Sequence, residues 1–309
     1  MKILVSGLIN IEANAAVRKF PVEYSPIEYA FNGVGVDLSG VAYNIIKALN
    51  ALGDEVFPVS IIGKDIVGRM IKNELSGLKI NTENLFEKLE KTCTSAVLFD
   101  ENGKRKVFCD LKNIQDFVLP YKDLQDKVAA SDGIVVCNIN FNDELIRKAK
   151  ESGKPVFTDV HVLSDIEDEY NKRFLQNADI VFLSDEGITG NHEDFLVSIW
   201  EKYKNRAVVL GQGKAGAMIL DGKARTVTSV ASVNTRPVLN TCGAGDALFS
   251  SFVHFYLKGF APVECLKKAV TFASWKIGES GGAKGFVQEN ELEKLCAGIE
   301  YQVCNVKTF

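Results

Sequence analysis

Strand-like and helix-like stretches alternate along most of this chain, and that rhythm restricts the fold more than any other feature. Residues 2–9 read as a first strand. Residues 41–52, VAYNIIKALNAL, place Ile45, Ala48, Leu49 and Leu52 at helical spacing, and Gly53 supplies the stop. EVFPVSIIG at 55–63 is the next strand, and 66–75 the next helix, with Val67, Met70, Ile71 and Leu75 on one face. The rhythm returns with strands at 133–139, 155–160, 178–184 and 207–211, and helices near 143–151 and 192–203. Two long helical patterns follow at 244–257 and 262–277. Strands separated by helices pair in parallel, because the helix carries the chain back across the sheet. The order predicts an α/β fold around a mainly parallel sheet.

Two segments break the rhythm. SAVLFDENGKRKVF sets Asn102-Gly103 between strand-like arms, the residue pair that a type I′ hairpin turn favours. Residues 13–38 are irregular and strand-like, interrupted by Pro21, Pro26, Gly33 and Gly35. Parts of 13–38 and 94–110 are expected to form a small β-sheet outside the main one, a lid of the kind that closes over substrate. AMILDG and ARTVTSV read as another antiparallel pair, joined through Asp221-Gly222. With no internal repeat and no dividing linker, residues 1–309 read as one domain with a lid.

Bulk properties narrow the partners. The 36 basic and 40 acidic side chains leave a net charge of −4, which offers no long-range attraction to nucleic acid or to anionic lipid. No apolar run approaches the roughly 18 to 20 residues of a membrane span, and the first residues lack a signal-peptide pattern. Seven cysteines without a C-x-x-C pair suggest neither a disulfide framework nor a zinc site, so a cytoplasmic location is expected. His161, His192 and His254 are far apart with no metal-ligand spacing, and His254 reads as a partly exposed helical residue.

Chemistry concentrates in Asn240-Thr241-Cys242-Gly243-Ala244-Gly245-Asp246, directly ahead of the helix ALFSSFVHFYLKG. Small residues there let the backbone approach a ligand, and the free N–H groups of the first turn make an anion pocket suited to a phosphoryl group. An acid in the same turn repels an anion. Asp246 makes chemical sense if it faces a substrate hydroxyl and accepts its proton while the backbone stabilises the transferring phosphoryl. The competing reading is structural, a tight glycine loop with Asp246 favouring the helix N-terminus. Cys242 is either a thiol of depressed pKa at that N-terminus or a spacer whose N–H matters. Residues 211–216, GQGKAG, spell G-x-G-x-x-G after a strand, but strands follow where a dinucleotide fold needs a helix. No G-x-x-x-x-G-K-[ST] occurs, which excludes a Walker-type ATPase.

The run NTCGAGD resembles the D-T-x-G-A-G-D signature of the ribokinase-like (PfkB) carbohydrate kinases, differing at its first position. Ser39-Gly40-Val41-Ala42-Tyr43-Asn44, ALNALG, and the G-x-D-x-x-G of GKDIVG echo the family's other segments in the right order across nearly the whole chain. The resemblance implies a three-layer fold with a small β-sheet lid, and transfer of the ATP γ-phosphoryl to a hydroxyl, commonly primary, of a sugar or nucleoside. It makes Asp246 the general base and the backbone of Cys242, Gly243, Ala244 and Gly245 the anion hole, with Thr241 beside the nucleotide. Asn10, Glu12, Gly40 and Asn44 fall at substrate-binding positions, with Asn10 and Glu12 at the end of the first strand. Gly213 and Gly216 fall where the adenine nucleotide lies. Magnesium is the implied cofactor, and a homodimer through the lid the implied assembly.

The departures from the family are specific. Asn240 stands where the family has Asp, a carboxylate associated with a monovalent-cation site, which counts against activation by potassium. Leu183-Ser184-Asp185-Glu186-Gly187-Ile188 replaces an Asn-x-x-Glu segment linked to magnesium and phosphate, leaving Asp185 and Glu186 to serve through water. Glu12 replaces an Asp and lengthens the arm. Ser39 and Val41 argue against ribose, and Val41-Ala42-Tyr43-Asn44 resembles the family's nucleoside and pseudouridine kinases. These changes raise one alternative, a catalytically impaired sugar- or nucleoside-binding sensor of the same fold.

Overall fold

The computed structural model describes residues 1–101 and 104–309. Its strands are β1 (Lys2–Ser6), β2 (Asn10–Ala16), β3 (Val34–Ser39), β4 (Glu55–Gly63), β5 (Leu85–Leu89), β6 (Thr94–Phe99), β7 (Arg105–Asp110), β8 (Gly133–Val136), β9 (Val156–Val162), β10 (Ile180–Ser184), β11 (Ala207–Gly211), β12 (Gly216–Asp221), β13 (Thr226–Ala231) and β14 (Val303–Thr308). Its α-helices are α1 (Val41–Ala51), α2 (Ile66–Gly77), α3 (Gln125–Ala130), α4 (Asp143–Glu151), α5 (Lys172–Asn177), α6 (His192–Tyr203), α7 (Ala244–Leu257), α8 (Pro262–Lys276) and α9 (Glu289–Ala297).

Ten strands form one sheet in the order β14-β13-β12-β11-β10-β9-β8-β1-β4-β5. From β11 to β5 all neighbours are parallel, and β12, β13 and β14 continue the sheet antiparallel. The central strands are buried on both faces, which is why they read as continuous apolar runs. Alternation then divides each strand between two cores. Ala207 and Val209 pack with α1, α7 and α8, whereas Val208 and Leu210 pack with α4, α5 and α6. A sheet covered on both faces by helices gives three layers. Helix α7 is buried along the whole run from Ala247 to Phe255, as a helix inside the helical layer must be.

The second sheet has four strands in the order β3-β2-β6-β7. It contains the expected irregular segment and the expected arms of the hairpin; the Asn102-Gly103 turn lies outside the described residues. The β12–β13 pair forms as expected, through a longer connection. Asp221 Oδ1 accepts the Lys223 and Ala224 N–H groups at 2.9 and 3.0 Å, and the turn spans residues 222–225.

Three expectations need correction, and one segment gains a role. Strand β1 stops at Ser6, so Asn10 and Glu12 lie on β2 of the small sheet and not at the end of the first strand. Met70 points to solvent, and α2 packs through Val67, Ile71 and Leu75. His254 is buried, its Nδ1 2.8 Å from Asp54 Oδ2 and its Nε2 3.4 Å from Glu289 Oε2, because α7 has no outer face to offer solvent. The G-x-D-x-x-G segment is a structural clip. Asp65 caps α2 through Gly68 N–H at 2.8 Å and takes two bonds from Thr92, while a Cβ on Gly68 would stand 2.1 Å from Gly63 O.

Candidate active site

Parallel strands put their carboxyl ends on one side, and ligands in such sheets bind there. That side holds Asp159 and His161 on β9, Asp185 after β10, Gly211 ending β11, and the start of α7. A Cβ on Gly211 would lie 3.8 Å from Leu248, so the β11 end stands beside the second turn of α7.

The start of α7 is held from three directions. Gly243 has φ +76° and its Cβ would stand 2.3 Å from Gly282 O, so only glycine closes this loop against the 278–285 segment. Gly282 packs in turn on Asn44, where a Cβ would meet Nδ2 at 2.9 Å. Asn44 Nδ2 donates to Asp246 Oδ2 at 2.7 Å, joining α1 to α7 across 202 residues of sequence. Burial raises the Asp246 carboxyl to about 6; Asp159 pushes the same way, while Asn44, His161 and Lys276 oppose it. A carboxylate so placed accepts a proton near neutral pH.

The N–H groups of the loop divide into two sets. Cys242 N–H donates to Asn240 Oδ1 at 2.7 Å and Ala244 N–H to Thr241 O at 3.2 Å. Gly243 and Gly245 N–H make no bond to another described residue, so they are free donors where the anion hole is expected, with the helix end behind them. The Cys242 thiol is pushed up, by burial first and by the Glu12 charge next, which removes the reading of a reactive thiolate.

The small sheet supplies the other wall. Register sets Glu12 beside Asp37 of β3 and Ser95 of β6, with Asn10 beside Ser39. Asn10 Nδ2 donates to Ser95 Oγ at 2.7 Å, and Ser39 Oγ lies 3.4 Å from Glu12 Oε2. Burial raises the Glu12 carboxyl, with Ser39 and the Arg105 charge opposing. Two buried acceptors, Asn10 Oδ1 and Asn44 Oδ1, have no hydrogen-bond partner among the described residues. Buried amide oxygens without partners are costly, and here both belong to residues expected to meet substrate. Gly40 caps α1 at φ +104°, with Leu8 O 2.5 Å from where a Cβ would be.

Where the nucleotide is expected, Gly213 begins a three-residue 3-10 turn and Gly216 (φ +107°) starts β12, its absent Cβ leaving room for Val230 O. That turn leads into a strand antiparallel to β11, so the dinucleotide reading fails as expected. Asp185 N–H bonds Gly211 O at 3.0 Å, placing the half-buried Asp185 beside this turn; Glu186 is exposed. The structure brings Asn44 and Asp246 into contact and links Gly243 to Asn44 through Gly282, whereas Asp185, Gly213 and Gly216 form a separate group along the strand ends.

Sequence reasoning missed Asp159, His161, Lys276 and the 278–285 segment. Asp159 had a signal, an acid among the apolar residues of a parallel strand. Lys276 had none, because a lysine in the last turn of a helix ordinarily answers the dipole from the surface. Lys284 was equally silent, and it pairs with Asp37 of β3 at 2.6 Å, tying the glycine segment to the small sheet.

Known proteins agree with this architecture. A curated relative from Archaeoglobus fulgidus, described as an uncharacterized sugar kinase, is 25% identical over 248 residues, 76% of this chain and 96% of the relative. The fold matches a microbiome-derived acarbose kinase at a TM-score of 0.85 and 22% identity, covering 96% of this chain and 98% of that one. It matches a ribokinase of Arabidopsis thaliana complexed with ribose and ATP at a TM-score of 0.78 and 18% identity, over 95% and 98% of the two chains. The sequence model of pfkB family carbohydrate kinases covers residues 1–289, and by that match the chain belongs to the pfkB family, a family of kinases.

Proposed function

We propose that the chain transfers the γ-phosphoryl group of ATP to a hydroxyl, a primary one, of a sugar or nucleoside. The observation that carries this reading is the Asp246 carboxyl, raised to about 6 by burial, at a helix N-terminus whose Gly243 and Gly245 N–H groups are unspent. Asn44 occupies Asp246 Oδ2 and leaves Oδ1 for the substrate. Asp246 takes the hydroxyl proton as that oxygen bonds the γ-phosphorus. The bond to the bridging oxygen breaks, ADP leaves with its electron pair, and the two glycine N–H groups stabilise the charge on the passing phosphoryl. Asn10 Oδ1, Asn44 Oδ1 and the Glu12 carboxylate accept hydrogen bonds from the remaining hydroxyls. ATP extends from the anion loop, at Thr241 and Cys242, toward Gly213 and Gly216.

Magnesium keeps most of its waters and takes one or two carboxylates with phosphate oxygens. Asp185, just after β10, and Asp159, midway along the neighbouring β9, are both half-buried and suit that donor set through water; Glu186 is exposed. Bound with ATP, the ion offsets phosphate charge. Seven free thiols suit a reducing, cytoplasmic setting, and no helix among the described residues is long and apolar enough to cross a membrane.

ADP release measured with a panel of sugars and nucleosides tests the reading. Acceptor-dependent release is the expected result; tight acceptor binding without turnover would establish the sensor instead.

Two further outcomes follow from the small sheet, which we read as a single-domain lid. Ligand should slow amide hydrogen exchange in β2 and β6, and unchanged protection would count against closure. The outer face carries Val36, Ala13, Ala96 and Phe108 in register, with Val36 61% and Phe108 51% exposed. We read this row as the surface where a second copy pairs. Sedimentation should find a dimer, and Phe108→Glu should yield monomer; a wild-type monomer at all concentrations would refute the pairing.

A further inference from the structure

A lysine at the end of a helix ordinarily runs its charge out to water. Lys276, the last residue of α8, does the opposite and is 0% exposed. Its Nζ donates to the carbonyl oxygens of Cys242 and Gly281, the latter at 2.6 Å. One carbonyl belongs to the anion loop and the other to the glycine segment that packs on Gly243. No carboxylate among the described residues pairs directly with this ammonium.

The monovalent cation that family membership implies does not fit these residues. Such an ion needs several convergent oxygens and gains from a carboxylate. Here the residue at 240 is an uncharged Asn whose Oδ1 is engaged by Cys242 N–H at 2.7 Å. The carbonyls of Cys242 and Gly281, which converge on one buried point under the loop, already have a cation covalently attached to the chain. Carbonyl dipoles converging without a positive charge between them repel one another, and the loop would open.

We propose that the Lys276 ammonium is a built-in monovalent cation that holds the anion loop in its phosphate-binding shape and makes catalysis independent of potassium. The proposal rests on the kinase reading above and makes Lys276 a positioning residue. It touches neither substrate, and it acts through the backbone of Cys242 and Gly281. Burial pushes its pKa down, Asp246 and Glu279 push it up, and Arg236 opposes them, so the charges around the group are mixed and the carbonyls are its direct partners.

The test compares wild type and Lys276→Ala in choline, sodium, potassium and ammonium chloride at equal ionic strength. Wild-type turnover should agree within about twofold in all four salts, while Lys276→Ala in choline falls about a hundredfold, the scale of losing an oxyanion-hole donor. The alanine opens a space lined by the two carbonyls, and ammonium or potassium should restore roughly tenfold of the loss. Several-fold stimulation of wild type by potassium overturns the proposal. So does a variant that keeps wild-type turnover in choline, or a loss that no cation relieves, which would leave Lys276 a simple strut.

Amide exchange across residues 240–246 is read in the same salts without any acceptor. Exchange should be salt-insensitive in wild type, faster in Lys276→Ala, and slowed again by ammonium. If no acceptor is phosphorylated in any salt, the kinase reading fails and the exchange data decide the cation question alone. If Lys276→Ala does not fold, wild-type exchange decides it: indifference to replacing choline by potassium supports the built-in cation, and a response refutes it.

Discussion

Replacing Asp246 with Asn should lower kcat on the order of a thousandfold while leaving ATP binding nearly unchanged. Asparagine still accepts from Asn44 Nδ2, so the bond that joins α1 to α7 survives and the loss reports on the missing base. Wild-type activity should rise as pH increases through about 6, because only the ionised carboxyl accepts the proton. The variant's residual rate should lack that rising limb. Stability should move oppositely. A carboxyl whose folded pKa lies above its unfolded value contributes its stabilisation at low pH, and that contribution is lost as pH rises through the folded value. The protein should therefore lose stability between about pH 4 and 6, and Asp246→Asn should melt higher than wild type at pH 7.5 but not at pH 4. Acceptor-dependent turnover that survives unchanged in the variant would sink the base assignment.

The parts of the molecule legible in the sequence are those where a local signal and burial agree. Helices α4, α6 and α7 begin and end where periodicity places them, since each carries its apolar face or its capping glycine in the segment itself. The two edge strands of the main sheet were not legible. LFEKL and VCNVKT pair on one side only and expose side chains on both faces, so neither alternation nor a continuous apolar run marks them as β5 and β14. The candidate site was legible where a motif concentrates its residues, as in residues 240–246, and through a family resemblance for Asn44, whose partner Asp246 is 202 residues away. No spacing rule joins such a pair. His254 and Lys276 were misread or unread for one reason: a polar residue on a helix defaults to solvent unless something distant meets it. Asp54 and the carbonyls of Cys242 and Gly281 do so only after folding.

Gly243→Ala should separate what the anion loop needs from what the fold tolerates. At φ +76° an alanine costs roughly 1 to 2 kcal/mol, and its Cβ would also press on Gly282 O from 2.3 Å. That neighbour is backbone, so no rotamer change relieves the contact. Either Gly243 leaves its left-handed conformation, which turns the N–H away from the phosphoryl, or the glycine segment retreats and takes support from Asn44. Both routes should cost about a hundredfold in kcat/KM and lower the melting temperature by several degrees. Gly245→Ala is the discriminating partner. Its Cβ would meet no atom of a described residue within 4 Å, and alanine gains up to about 1 kcal/mol over glycine inside a helix. This variant should melt at or above wild type. If the transferring phosphoryl approaches the backbone here, the added methyl should still cut turnover by tenfold or more. Full activity in Gly245→Ala would move the phosphoryl away from this face of the loop, and a Gly243→Ala variant as active as wild type would refute the two-donor anion hole.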